Sequence, residues 1–213
     1  MKLRDLVFDL DGTLVDSRPG IDRAGARASV RAGREPVALA PFIGPPVRVM
    51  FARAYPDAPA HQLDALVEHF RRAYDTTDWR LTRPMPGLDT VLHAVRAHGG
   101  RAFVVTNKPH VATQRILHEL DLHARLTAVL SPDGPEAPFT AKAIALAYLR
   151  RSYALSGDDT AYVGDADEDR LAAQLTGLPF VAAAYGYGDA GATLVESDLA
   201  RIDHLSDLLN LIG

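Results

Sequence analysis

Two carboxylates separated by one residue close the apolar run Leu6-Val7-Phe8: Asp9 and Asp11, followed at once by Gly12 and Thr13. Within a strand, a spacing of two aims both side chains the same way. Taken alone, an Asp-Gly pair at a strand end reads first as a turn. A second acidic segment, Gly164-Asp165-Ala166-Asp167-Glu168-Asp169, closes another short apolar run, Ala161-Tyr162-Val163. If both runs share one sheet, several carboxylates gather at one edge. Two such charges about 4 Å apart repel by about 4 kcal/mol at an effective dielectric near 20, so the cluster calls for a cation or displaced pKa values. Oxygen ligands without cysteine or suitably spaced histidine point to Mg²⁺.

The cations are as informative as the acids. Of 23 lysines and arginines only Lys2, Lys108 and Lys142 are lysines. Lysine offers a compact point charge where arginine offers a planar fork, and a crowded phosphate site can demand the former. The net charge of −4 supplies no field for a nucleic-acid backbone, and Arg71-Arg72 and Arg150-Arg151 read as solvated helix faces. There is no cysteine, and none of the eight histidines has a zinc-ligand spacing. The sequence has neither a signal-peptide profile nor an apolar stretch long enough to span a bilayer, so a cytoplasmic location, with no membrane partner, is expected.

Four short apolar runs would carry these groups: Leu6 to Phe8, Arg101 to Val105, Ala161 to Val163, and Pro179 to Ala183. Helical patterns fall between them, at Leu88 to His98, Val111 to Leu122, Ala141 to Arg151, and Asp169 to Leu175. Alternation of this kind predicts an α/β fold, a Rossmann-like parallel sheet with helices on both faces and ligands beyond the carboxyl ends of the strands. From Arg18 to about Thr82 the rhythm breaks into helices only, roughly Ile21 to Ala32, Val47 to Ala54 and Ala60 to Asp75, with Asp16 or Ser17 as the first N-cap. The expected organisation is a core of 1-17 and 83-213 with a small helical domain, 18-82, inserted after the first acidic motif.

The ordered set of segments resembles the haloacid dehalogenase superfamily, in its large phosphatase branch and its phosphoglycolate-phosphatase-like members. Asp9 to Thr13 matches the pattern Asp-x-Asp-Gly-Thr, and Thr106-Asn107-Lys108 the strand-end hydroxyl motif. Lys142 matches the lysine, and Gly164 to Asp169 the pattern Gly-Asp-x-x-x-Asp. In many relatives a proline follows the lysine; here Ala143 does, and Lys108 is the other lysine that could fill the role.

The resemblance implies roles that are chemically coherent. Asp9 would be the nucleophile, giving an aspartyl-phosphate, and Asp11 the acid and base. Mg²⁺ would be held by Asp9, the backbone carbonyl of Asp11 and Asp165, with Asp169 supporting the metal or orienting Lys142. Thr106 and the N–H of Asn107 would bind phosphoryl oxygens, Lys142 would balance the charge of transfer, and Lys108 would approach substrate. The helical insertion resembles this family's cap, with Gly44 and Arg48 in its substrate-facing loop. Tyr185-Gly186-Tyr187-Gly188 resembles the same branch and receives no chemistry. The expected partner is a small phosphorylated metabolite, the protein being a monomer or homodimer. A sugar-phosphate mutase on the same fold and a non-catalytic regulator binding a phosphate ligand are the alternatives. Carbon–halogen displacement would need neither Asp11 nor Asp165.

Overall fold

A computed structural model describes residues 2–136, 138–191 and 195–213. The chain forms two compact units, Met1–Val15 with Pro84–Gly213, and Asp16–Arg83. In chain order the elements are β1 (Asp5–Phe8), β2 (Val15–Asp16), α1 (Arg18–Arg31), α2 (Val47–Ala54), α3 (Ala60–Thr76), β3 (Arg83–Pro84), α4 (Leu88–Ala97), β4 (Ala102–Val105), α5 (His110–Glu119), β5 (Ala128–Leu130), α6 (Lys142–Tyr153), β6 (Thr160–Gly164), α7 (Asp167–Thr176), β7 (Phe180–Ala183) and β8 (Ala200–Ile202).

The first unit is built on a six-stranded parallel sheet in the order β5-β4-β1-β6-β7-β8. Every residue of β1, β4, β6 and β7 is buried, which is why, after the polar first residues Asp5 of β1 and Thr160 of β6, these strands run apolar without alternation. On one face Val7, Phe103, Tyr162 and Phe180 pack with Leu146 and Leu149 of α6 and Ala172 and Ala173 of α7. Register then decides what meets at the carboxyl edge. Phe8 lies level with Val104 and with Val163, so the chain leaves β1, β4 and β6 at nearly one height, at Asp9, Thr106 and Asp165. Among the described residues no helix is long and apolar enough to cross a membrane.

The second unit is helical throughout its regular core, as its periodicity predicts. Phe51 of α2 meets Phe70 of α3 edge-on at 6.0 Å, and Phe70 stacks on Tyr74 at 5.4 Å. Asp78 is buried, and the guanidinium groups of Arg23 and Arg27 on α1 satisfy it.

Several elements differ from expectation. Strands β5 and β8 were not foreseen: each has three residues, too few to show a period. Helix α1 starts at Arg18, not Ile21, because Asp16 Oδ1 accepts the Arg18 N–H at 3.1 Å, while Ser17, in the N-cap position, makes no side-chain cap bond. Helix α7 starts at Asp167 rather than Asp169. Asp169 Oδ2 reaches back to the Ala166 N–H at 3.2 Å, as the third helical residue does in a capping box.

Candidate active site

Asp9, Asp165 and Asp169 converge. Each is buried, and one oxygen from each lies within 4.8 Å of those of the other two. Asp9 is the first residue past β1, its N–H still bonded to Val163 O at 2.9 Å. Beyond it the chain turns tightly: Leu10 O accepts N–H groups from Thr13, Leu14 and Val15. Gly12 takes φ +84° there, where a Cβ would meet Asp165 Oδ2 at 2.3 Å. Only glycine allows both the turn and the approach.

Lys142, the first residue of α6, answers the cluster. Its Nζ donates to Asp9 Oδ1 at 2.8 Å and to Asp169 Oδ1 at 2.7 Å. Burial works against its charge, but Asp169 and Asp9 outweigh burial and hold the ammonium above its ordinary range. Lys108 is engaged differently, with both oxygens of Asp11 at 2.9 and 3.0 Å. The two lysines thus partition between the two acids of the first motif, Lys142 on Asp9 and Lys108 on Asp11. The Asp11 carboxylate stands outside the three-carboxylate cluster.

The electrostatics state what the cluster lacks. Burial pushes the Asp9 carboxyl well above the usual carboxylate range; Lys142 pulls it back, and Asp169 and Asp165 push it further up. Asp165 is pushed up to about 6, by burial first and Asp169 second, against the N–H groups of Gly188 and Tyr187 and the charge of Lys142. Fully ionised, three carboxylates against one ammonium would leave two negative charges, which a single divalent cation would cancel. The donors are all oxygen, so the residues fit a hard ion.

The segment Tyr185 to Gly188, to which the sequence assigns no chemistry, ties the two acidic motifs together. The N–H groups of Tyr187 and Gly188 donate to Asp165 Oδ2 at 2.6 and 3.0 Å. The Tyr185 hydroxyl donates to Thr13 O at 2.9 Å, and that of Tyr187 to Val15 O at 3.4 Å. One segment therefore fixes an acid of the second motif and the turn of the first. The backbone closeness explains its glycines: a Cβ on Gly186 would lie 2.2 Å from the Asp165 Cβ. The alternation of tyrosine and glycine was the available signal.

Thr106, buried, follows β4, and its Oγ1 accepts the Lys108 N–H at 3.1 Å. The Asn107 amide donates to both oxygens of Glu168 on α7, at 3.2 and 3.0 Å, a link absent from the sequence reading. Gly44 and Arg48 belong to the second unit. Gly44 takes φ +133°, and Arg48 forms an exposed ion pair with Asp64 at 3.1 Å.

A family model described as haloacid dehalogenase-like hydrolase matches residues 6–183. Phosphoglycolate phosphatase of Cereibacter sphaeroides is 33% identical over 200 residues, 87% of this chain and 87% of its own length. Phosphoglycolate phosphatase of Xylella fastidiosa is 31% identical over 188 residues, 86% of this chain and 81% of its own. A haloacid dehalogenase-like hydrolase of Streptococcus pneumoniae superposes with TM-score 0.85 and 25% identity, over 98% of this chain and 97% of that one. The chain belongs to the haloacid dehalogenase-like hydrolase family, and within it is similar to the phosphoglycolate phosphatases.

Proposed function

We propose that this enzyme is a Mg²⁺-dependent phosphatase that hydrolyses a small phosphate monoester of the phosphoglycolate type through an aspartyl-phosphate on Asp9. The observation that carries the reading is the convergence of the buried carboxylates Asp9, Asp165 and Asp169, with the Lys142 ammonium bonded to Asp9 and Asp169. Asp9 and Asp165, with the backbone carbonyl of Asp11, would hold Mg²⁺, and Asp169 would support them. Bound there, the ion would neutralise carboxylate and phosphate enough for the two anions to approach.

The chain's own groups would perform the rest. An Asp9 oxygen attacks phosphorus, and the bond from phosphorus to the ester oxygen breaks as the leaving alkoxide takes the Asp11 proton. Asp11, now ionised, removes a proton from the water that splits the acyl phosphate, returning Asp9 and inorganic phosphate. Lys142, with the Thr106 hydroxyl and the Asn107 N–H, stabilises charge on the phosphoryl oxygens. Lys108 holds the Asp11 carboxylate until substrate arrives; as substrate displaces the ammonium, Asp11 takes from solvent the proton that it then passes to the leaving alkoxide. Gly44 and Arg48 are the candidate contacts to the leaving group. The Arg48–Asp64 pair is exposed and so worth no more than about 1 kcal/mol, little enough to exchange for an anionic substrate.

Phosphate release by wild type and Asp9→Asn tests the proposal, measured over phosphoglycolate, nucleoside monophosphates and sugar phosphates with Mg²⁺ and with a chelator. The expected result is release by wild type that is abolished by either the substitution or the chelator. Equal release by both proteins, or none by wild type, contradicts it.

A further inference from the structure

Asp169 is held from below by a group that the four motifs do not include. Tyr162 lies on the central strand β6, in register with Val7 of β1 and Phe180 of β7, and is fully buried. Its ring packs against Phe180, at 6.3 Å between centroids, within the apolar cluster between the sheet and helices α6 and α7. Its hydroxyl is 2.7 Å from Asp169 Oδ1 and 3.4 Å from Val105 O. A phenol has one hydrogen to donate, and the shorter, charge-assisted contact takes it. Burial, reinforced by the charges of Asp169 and Asp9, holds the phenol well above its ordinary range, so it is a donor at any working pH.

The Asp169 carboxylate is consequently fixed on three sides. Oδ1 accepts from Tyr162 and from Lys142 Nζ, and Oδ2 accepts from the Ala166 N–H at 3.2 Å. Gly164 allows the carboxylate to lie this close to the strand end, for a Cβ there would meet Asp169 Oδ2 at 2.6 Å. Packing alone does not call for the hydroxyl. Phenylalanine would fill the same volume with no polar atom to satisfy, as it does at Phe103 and Phe180 in the same cluster.

We propose that Tyr162 is a positioning residue: its hydroxyl sets the plane of the Asp169 carboxylate so that Asp169 holds the Lys142 ammonium against Asp9. The inference rests on the phosphatase reading above, and adds to it a hydrogen-bonded line from the interior of the sheet to the nucleophile, Tyr162 to Asp169 to Lys142 to Asp9. A small displacement along that line is costly, because about 1 Å of misplacement at a reacting group is worth up to ~10²-fold in rate.

The test is Tyr162→Phe, which keeps the ring, made in wild type and in an Asp169→Asn background. In wild type we expect kcat to fall about tenfold with KM unchanged, because the lysine is displaced only partly and acts on the transition state. In Asp169→Asn the same change should alter kcat less than twofold, since its effect runs through the carboxylate. A general packing role would lower kcat by the same factor in both backgrounds, and that result overturns the inference. So does an unaltered kcat in wild type. A crystal structure of Tyr162→Phe gives an answer independent of turnover. We expect the Lys142 Nζ to Asp9 contact to open beyond hydrogen-bond range, and an intact contact overturns the inference. If wild type releases no phosphate, the phosphatase reading falls, and the crystal structure alone decides the positioning role.

Discussion

Lys142 Nζ reaches Asp9 Oδ1 at 2.8 Å across a separation of 133 residues, and the same nitrogen ties Asp169 into the site at 2.7 Å. Removing this ammonium while keeping its bulk, as in Lys142→Met, leaves three buried carboxylates facing one another. We expect a loss of about 3–5 kcal/mol in unfolding free energy at neutral pH in chelator, as when one partner of a buried pair is deleted. Mg²⁺ should restore part of it. Urea unfolding of both proteins with and without the ion measures this, and kcat should fall about 10²–10³-fold.

The acid cluster also sets a pH dependence. Asp165 has a folded pKa of about 6 against an ordinary 3.8. Between those values the folded chain holds a proton that the unfolded chain has released, so stability is lost as pH rises through the window. The loss is on the order of 2–3 kcal/mol in metal-free buffer. Urea unfolding from pH 4 to 7.5 should show a steeper decline for wild type than for Asp165→Asn, and Mg²⁺ should flatten the wild-type curve by favouring the ionised form. Identical pH profiles for the two proteins in chelator would contradict this reading of Asp165.

How much of this was legible in the sequence depends on whether a group acts through spacing or through contact. Asp9, Thr106 and Asp165 were visible because each ends an apolar run, and the parallel register of β1, β4 and β6 brings such ends to one height. The partition of Lys142 to Asp9 and Lys108 to Asp11 was not visible, for it depends on where α6 begins relative to the turn after β4. Tyr162 read only as part of a strand, since periodicity reports that a ring is buried and not what its hydroxyl touches. Strands β5 and β8 lie outside the strongest patterns because three residues carry no period.

The Tyr185 to Gly188 segment predicts its own failure mode. In Gly186→Ala the new methyl would meet Asp165 Cβ, a backbone-anchored atom, at 2.2 Å. The segment must retreat, taking with it the N–H groups of Tyr187 and Gly188 that hold Asp165 Oδ2. We expect the Mg²⁺ concentration for half-maximal activity to rise about 10–100-fold, the usual cost of losing support behind a metal ligand. Metal titration of the phosphatase rate measures it, and an unchanged midpoint would show that Asp165 needs no such support.

Lys108 and Asp11 should behave as a unit. Lys108→Met releases the Asp11 carboxylate from its two contacts at 2.9 and 3.0 Å, and we expect kcat/KM to fall about 10–10²-fold. Added to Asp11→Asn, the same change should cost much less, because the group it positions has already lost its function. Steady-state kinetics of the single and double variants give the coupling, and strict additivity would separate the two residues.

The most direct test is to catch the phosphoryl group on the enzyme. Wild type mixed with a phosphate monoester and Mg²⁺, quenched in acid within milliseconds and digested, should yield one peptide heavier by a phosphoryl group, on Asp9, labile to hydroxylamine and absent from Asp9→Asn. Phosphate release at the wild-type rate with no modified peptide, or with the label on another residue, would contradict the account.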